Sequence, residues 1–137
     1  MNETDYADAR RWMVEQHLRR RDITDTRVLE AMGRVPREHF VPEHLREMAY
    51  ADRALPLDHG QTISQPYIVA LTTQCARPEP GDRALDVGTG SGYQAAVLAE
   101  LCREVDSIEI VEGLAGKASD RLRTMGYDNI TVRHGDA

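Results

Sequence analysis

Three closely spaced glycines form the part of the sequence that is best suited to binding a small molecule. Gly88, Gly90 and Gly92 lie between a short apolar run at 83–87 and an apolar pattern of helical spacing that begins at Tyr93. This order predicts a strand, a tight turn and a helix. Glycine in the turn permits positive φ and lets a ligand approach the backbone, and the first amides of the helix can bind its polar groups. The predicted ligand is a nucleoside-type cofactor.

The spacing of the glycines bears on which cofactor this is. The dinucleotide fingerprint is Gly-x-Gly-x-x-Gly, whereas here the third glycine comes one residue early and Tyr93 stands where that pattern has glycine. NAD is therefore the weaker prediction. Glu109 supports a nucleoside-containing cofactor whether or not that cofactor is NAD. It lies 21 residues after Gly88, at the end of a second apolar run. A carboxylate at that position can accept hydrogen bonds from both ribose hydroxyls, although an isolated acid at a strand end is as often a solvated charge.

A second informative segment is 60–70, in which a predicted helix begins. Pro66 suits the first turn of that helix. Its predicted apolar face consists of Ile68, Val69, Leu71, Thr72 and Cys75. Thr62, Ile63 and Ser64 then fall in the preceding loop, where amides and a hydroxyl are presented together. Ser64 has two open interpretations, a site residue or an ordinary N-terminal cap of the helix.

Composition limits the class of protein. The chain has 137 residues, 41% of them hydrophobic, with no apolar run of membrane-spanning length, so we expect one soluble domain without membrane contact. The first five residues do not resemble a signal peptide, which favours a cytoplasmic location. A net charge of −6 offers no footprint for nucleic acid. Cys75 and Cys102 lack metal-ligand spacing, so we predict no metal site and two buried free thiols.

The remaining elements follow from periodicity. Residues 5–20 have helical spacing with Trp12 as a large anchor, and a second helix closes at Gly33. Strands at 83–87, 104–108 and 129–133 alternate with helices, which predicts an α/β fold with a parallel sheet. We divide the chain into an N-terminal helical segment, 1–57, and the first half of a Rossmann-like domain, 58–137, within one domain overall.

Three segments resemble the protein-L-isoaspartate (D-aspartate) O-methyltransferase family. They are 35–42 (Val-Pro-Arg-Glu-His-Phe-Val-Pro), 60–70 (Gly-Gln-Thr-Ile-Ser-Gln-Pro-Tyr-Ile-Val-Ala) and 86–99, which contains the glycine loop. The first two are specific to the family, the third belongs to methyltransferases at large, and the similarity covers nearly the whole chain. The resemblance implies a Rossmann-like S-adenosyl-L-methionine-dependent methyltransferase fold. The implied reaction methylates the α-carboxylate of L-isoaspartyl and D-aspartyl residues in damaged proteins, which is a repair step.

The resemblance also implies roles for particular residues. Ser64 corresponds to the residue assigned to the active site. The positions implied to bind or border the cofactor are Gln61, Thr62, Ile63, Asp86, Gly88, Gly90, Gly92, Glu109 and Asp136. Two alternatives stay open, namely a methyltransferase with another acceptor and an inactive or partner-completed remnant.

The sequence departs from the family after Asp136, where family members continue with four further strands and their helices. Without the strand that normally lies beside it, the strand at 83–87 is expected to be an open edge that carries Leu85 and Val87. The 137-residue chain is therefore expected to be marginally folded or self-associated through this edge.

Overall fold

The computed structural model describes all 137 residues. The helices are α1 (Glu3–Met13, continued by the π-helical turn Val14–Arg19), α2 (Thr26–Arg34), α3 (Pro66–Ala76), α4 (Tyr93–Ala99) and α5 (Glu112–Thr124). The strands are β1 (Leu55–Pro56), β2 (Thr62–Ile63), β3 (Arg83–Val87), β4 (Glu104–Glu109) and β5 (Ile130–His134). Short 3-10 helices span Arg37–Phe40, Glu43–Met48 and Asp58–Gly60.

The central element is a parallel sheet with the order β3-β4-β5. β3 pairs with β4 and β4 pairs with β5, both in parallel, and α4 and α5 provide the two crossovers. The predicted α/β fold with a parallel three-stranded sheet is confirmed, with the third strand displaced by one residue from 129–133. In this order β3 has β4 on one side only, so it is an edge strand.

One face of the sheet is covered and the other is open. In the strand registers Leu85 is opposite Asp106 and Val87 is opposite Ile108, which places these four side chains on one face because strand side chains alternate. Leu85 and Val87 are 61% and 63% exposed. Arg83 pairs with Asp106 on the same face at 3.2 Å. The expectation that Leu85 and Val87 lie on an open strand is therefore confirmed.

The N-terminal segment packs against the sheet domain through one continuous core. Buried side chains from α1 and α2 join residues of α3 and α4 in the same cluster, which agrees with a single domain. β1 and β2 pair antiparallel, with Leu55 opposite Ile63, so this hairpin joins residues on both sides of the predicted division at 57/58. The division itself stays a prediction.

Four expectations about individual residues were wrong. Trp12 is 58% exposed, because the residue of α1 that is buried in the core is the adjacent Met13. Cys75 is exposed, whereas Cys102 is buried as expected. α2 continues through Gly33 and ends at Arg34, with Asp25 as its cap. Of the predicted apolar face of α3 only Val69 is buried; the other buried residues of this helix are Pro66, Ala70 and Thr73, while Ile68 is 44% exposed.

None of the helices combines the length and the apolar character that crossing a membrane would require.

Candidate functional site

The glycine loop lies across the carboxyl end of β4. The amides of Gly88 and Thr89 both donate to the Ile108 carbonyl, at 2.8 and 3.2 Å, so the loop turns directly over the neighbouring strand. α4 then begins at Tyr93 with Gly92 as its N-cap at φ +95°. A Cβ on Gly92 would lie 3.2 Å from the Leu122 side chain. Both the positive φ and the close approach of α5 therefore require glycine at this position.

Glu109 holds the glycine loop in place. This last residue of β4 is 4% exposed, and its two carboxylate oxygens each accept one backbone amide. Oε1 accepts from Gly90 at 2.8 Å and Oε2 from Val111 at 2.9 Å. A carboxylate has about four acceptor positions, so Glu109 retains acceptor capacity for hydroxyl groups while it anchors the loop.

Asp86 is a second buried carboxylate beside the loop. Ser107 Oγ donates to Asp86 Oδ2 at 2.7 Å, and Ser107 is in turn hydrogen-bonded to the Thr89 hydroxyl. Burial raises the pKa of Asp86, and the charge of Glu109 adds to this, against the lowering effect of the Ser107 hydrogen bond. The Asp86 carboxylate can thus serve as a hydrogen-bond partner at the end of β3. Burying it in its charged form without a hydrogen-bond donor would be destabilising.

Ser64 lies between β2 and α3, and its side chain is free. The N-cap of α3 is Gln65, with no side-chain capping bond, so the interpretation of Ser64 as the cap was wrong. Ser64 is exposed, and only its carbonyl is held, by Arg37 Nη2 at 2.9 Å. Thr62 and Ile63 belong to β2 rather than to a loop, because they pair with β1.

The two segments meet in one cleft of about 240 Å³. Of the residues proposed from sequence, the cleft is lined by Thr62, Ile63, Ser64, Asp86, Gly88 and Gly90. Glu109 adjoins the lining through its bond to Gly90, whereas Gly92 is buried and does not line the cleft. Gln61 and Asp136 are exposed and do not line the cleft. Asp136 follows Gly135, whose amide donates to the Glu109 carbonyl at 3.0 Å.

The sequence matches one protein family over most of its length. The family model described as protein-L-isoaspartate(D-aspartate) O-methyltransferase matches residues 9–137. The chain belongs to this family. The resemblance that the sequence indicated is therefore confirmed, and the fold is that of S-adenosylmethionine-dependent methyltransferases.

Individual relatives of the family agree. A protein-L-isoaspartate O-methyltransferase of Opitutus terrae is 60% identical over 127 residues, which cover 93% of this chain and 54% of the relative. One from a Synechococcus strain is 56% identical over 131 residues, covering 96% and 54%. The chain thus spans about half the length of the curated relatives it matches.

Solved structures of the family share the fold. A protein-L-isoaspartate O-methyltransferase superimposes with a TM-score of 0.80 at 26% identity, over 93% of this chain and 42% of that protein. A Plasmodium falciparum protein described as a protein-L-isoaspartate O-methyltransferase, solved in complex with S-adenosyl-L-homocysteine, has a TM-score of 0.77 at 28% identity. The match covers 92% of this chain and 62% of that protein.

Several lining residues were not singled out from sequence. Thr89, Ser91, Tyr93 and Gln94 also line the cleft, and Thr89 and Ser91 are buried polar residues. A signal was present for the first three, since they lie within or next to the glycine loop. Ser107 has a weaker one: strand alternation places it on the same face as Glu109, although nothing in the sequence pairs it with Asp86.

Proposed function

We propose that the chain forms the cofactor-binding half, with the acceptor-positioning segment, of an S-adenosyl-L-methionine-dependent methyltransferase. The acceptor is the α-carboxylate of L-isoaspartyl and D-aspartyl residues in damaged proteins. The observation that carries the proposal is that the glycine loop and Ser64, whose hydroxyl makes no hydrogen bond within the chain, line the same cleft.

The chain's own residues fit a nucleoside cofactor. Gly88 and Gly90 line the cleft without side chains, so a ligand can approach their backbone. Glu109 keeps the acceptor capacity that ribose hydroxyls need while it fixes the Gly90 amide at 2.8 Å. Gln61, Gly92 and Asp136 are outside the lining, and their proposed roles rest on the family resemblance.

The proposed chemistry asks for orientation rather than for an acid or a base. When bound, S-adenosyl-L-methionine supplies an activated methyl group on a sulfonium centre. An aspartyl-type carboxylate is already ionised near pH 7, so no residue needs to remove a proton. Ser64 would donate a hydrogen bond to one acceptor oxygen, and the Thr62–Ile63 backbone would form the wall of the slot. Such alignment can supply up to about 7–11 kcal/mol in favourable systems.

The proposal is tested by binding and by transfer. Calorimetry of the chain with S-adenosyl-L-homocysteine, and with NAD as the comparison ligand, distinguishes the two cofactor classes. Transfer is measured with an isoaspartyl peptide and with its ordinary aspartyl isomer of the same sequence. Because the chain spans about half of its relatives, transfer is also measured on a fusion of the chain with the C-terminal remainder of the Opitutus terrae relative. Preference for NAD, or equal methylation of both peptides by an active fusion, would contradict the proposal.

Replacing Ser64 with alanine should lower methyl transfer to the isoaspartyl peptide in the active fusion while S-adenosyl-L-homocysteine affinity stays the same. The lost hydrogen bond to a charged acceptor corresponds to about 1.5–3 kcal/mol, or roughly 10- to 150-fold in kcat/KM for the peptide. The control is Thr72→Ala, which removes a second hydroxyl from the same cleft and should leave kcat/KM close to that of the parent. Equal turnover in Ser64→Ala would remove Ser64 from the site.

Replacing Glu109 with alanine should weaken S-adenosyl-L-homocysteine binding by about 1.5–3 kcal/mol, the value for hydrogen bonds to a charged group. Glu109→Gln separates its two tasks, because an amide oxygen can still accept from one backbone amide but carries no charge. We expect intermediate affinity for that variant by calorimetry. Glu104→Ala, at the exposed start of β4, should bind like the parent. Unchanged affinity of Glu109→Ala would show that the ribose assignment is wrong.

The partners follow from the same proposal. Isoaspartyl-containing proteins are the substrates, without nucleic acid or membrane as a partner, and the open strand β3 is a surface through which the chain can associate with itself or with a completing segment. The alternative of an inactive or partner-completed remnant is favoured by that open strand alone.

A cytoplasmic location is compatible with two free cysteines, since thiols persist in reducing compartments.

A further inference from the structure

Arg37 is a fully buried cation that bridges two separate main-chain segments. Its relative exposure is 0%, Nε donates to the Ala49 carbonyl at 2.6 Å, and Nη2 donates to the Ser64 carbonyl at 2.9 Å. The guanidinium also lies over the Tyr93 ring, 4.8 Å from its centroid. Tyr93 is the first residue of α4. One side chain therefore contacts both the Ser64 segment and the helix that follows the glycine loop.

This arrangement is costly for a residue whose only task is packing. Burial lowers the pKa of Arg37, yet an arginine stays protonated, and Nη1 has no hydrogen-bond partner in the chain. Buried charges are destabilising unless their hydrogen bonds are satisfied. An apolar side chain of similar length would fill the same space. The feature that an apolar residue cannot reproduce is the pair of bonds to the Ala49 and Ser64 carbonyls.

The other restraints on the Ser64 segment act on the neighbours of Ser64. The Ser64 hydroxyl makes no hydrogen bond within the chain. The side chain of Gln65 does not cap α3 but donates to Asp52 Oδ1 at 2.6 Å. Before it, the hairpin contributes only two paired positions. The bond from Arg37 is thus the side-chain hydrogen bond that acts on Ser64 itself.

We propose that Arg37 is a positioning residue, which fixes the Ser64 carbonyl, and with it the Ser64 hydroxyl, at a set place relative to α4 and the glycine loop. Its importance for methyl transfer rests on the function proposed above, whereas its effect on the segment does not.

The test compares Arg37→Met with Arg27→Met in the 137-residue chain. Arg27 is the matched control because it also bridges two carbonyls, of Pro78 at 2.8 Å and Leu101 at 2.7 Å, without contacting the Ser64 segment. Amide hydrogen exchange is followed by NMR at Leu57, which donates to the Gln61 carbonyl at 2.7 Å, and at Ile63. Amides of β4 report global opening.

In Arg37→Met we expect the hairpin amides to exchange about 10- to 100-fold faster beyond any change in β4, as for lost bonds to a charged donor. Arg27→Met should leave the hairpin amides in step with β4. Arg37→Lys, which keeps the charge but not the two-pronged geometry, should recover part of the protection, and it provides the measurement if Arg37→Met does not fold. Equal acceleration at β4 and at the hairpin in the Arg37 variants would overturn the proposal.

The same variants separate this inference from the proposed function. In the active fusion, Arg37→Met should lower kcat/KM for the isoaspartyl peptide without changing KM for S-adenosyl-L-methionine, and it should add little in a Ser64→Ala background because both changes act on one hydroxyl. Full additivity with Ser64→Ala would overturn the proposal. Absence of transfer in the parent fusion would count against the proposed function, and the exchange experiment would still decide the role of Arg37.

Discussion

Replacing Gly90 with valine should reduce S-adenosyl-L-homocysteine binding by at least about 100-fold, because strain and a lost anchor act together. Gly90 has φ +55°, a conformation that a β-branched residue adopts only under strain. Its amide is the donor to Glu109 Oε1 at 2.8 Å, so a shift away from positive φ also releases the loop from Glu109. A Cβ at Gly90 would be 3.8 Å from Leu57, which is ordinary contact. The expected loss therefore comes from the backbone rather than from a clash inside the chain.

Calorimetry of Gly90→Val against Gly126→Val provides the measurement and its control. Gly126 has φ +89° with no atom within 4 Å of its would-be Cβ, and it lies outside the cleft, so it should cost stability without affecting binding. Gly90→Asn should fall between the parent and the valine variant because asparagine tolerates positive φ. Parent-like affinity in Gly90→Val would show that the glycine loop is not where the cofactor binds.

The strand, loop and helix around the glycines were predictable because their determinants are local. An apolar run, three glycines and a helical period lie within about 20 residues, and the spacing from Gly88 together with the end of the second apolar run identified Glu109. Local patterns do not show which groups, distant in the sequence, form hydrogen bonds with a given side chain. The sequence indicated Glu109 as a ligand residue, but the structure adds its bonds to Gly90 and Val111, which depend on how the loop folds over β4.

The errors have the same origin. A helical period predicts that one face is buried but not which neighbours cover it. In α3 the residues Val69 and Thr73 face the core, whereas Cys75 is exposed and Thr72 lines the cavity beside β3. Arg37 is separated from Ser64 by 27 positions, so its bond to that carbonyl has no signature in either local pattern.

The polypeptide of these 137 residues should be marginally folded or self-associated through β3, and should transfer little or no methyl group by itself. β3 pairs with β4 on one side only, so its other row of amides and carbonyls is available to a further strand. A parallel sheet is normally covered on both faces, whereas Leu85 and Val87 are 61% and 63% exposed. Val87 also lines the candidate cleft, which leaves that wall open to water and the acceptor poorly aligned.

Sedimentation of the chain and of the double variant Leu85→Lys/Val87→Lys tests this prediction. Lysines on an edge strand oppose pairing by charge repulsion and by hydration, so the variant should be monomeric at concentrations where the parent is not. Trp12→Lys is the matched control, since Trp12 is 58% exposed but lies on α1. If the parent is a stable monomer, or if Trp12→Lys disperses it equally well, association does not proceed through β3. A monomer with family-like turnover would further mean that the residues present already complete the site, and that the open face beside Val87 plays no part in aligning the acceptor.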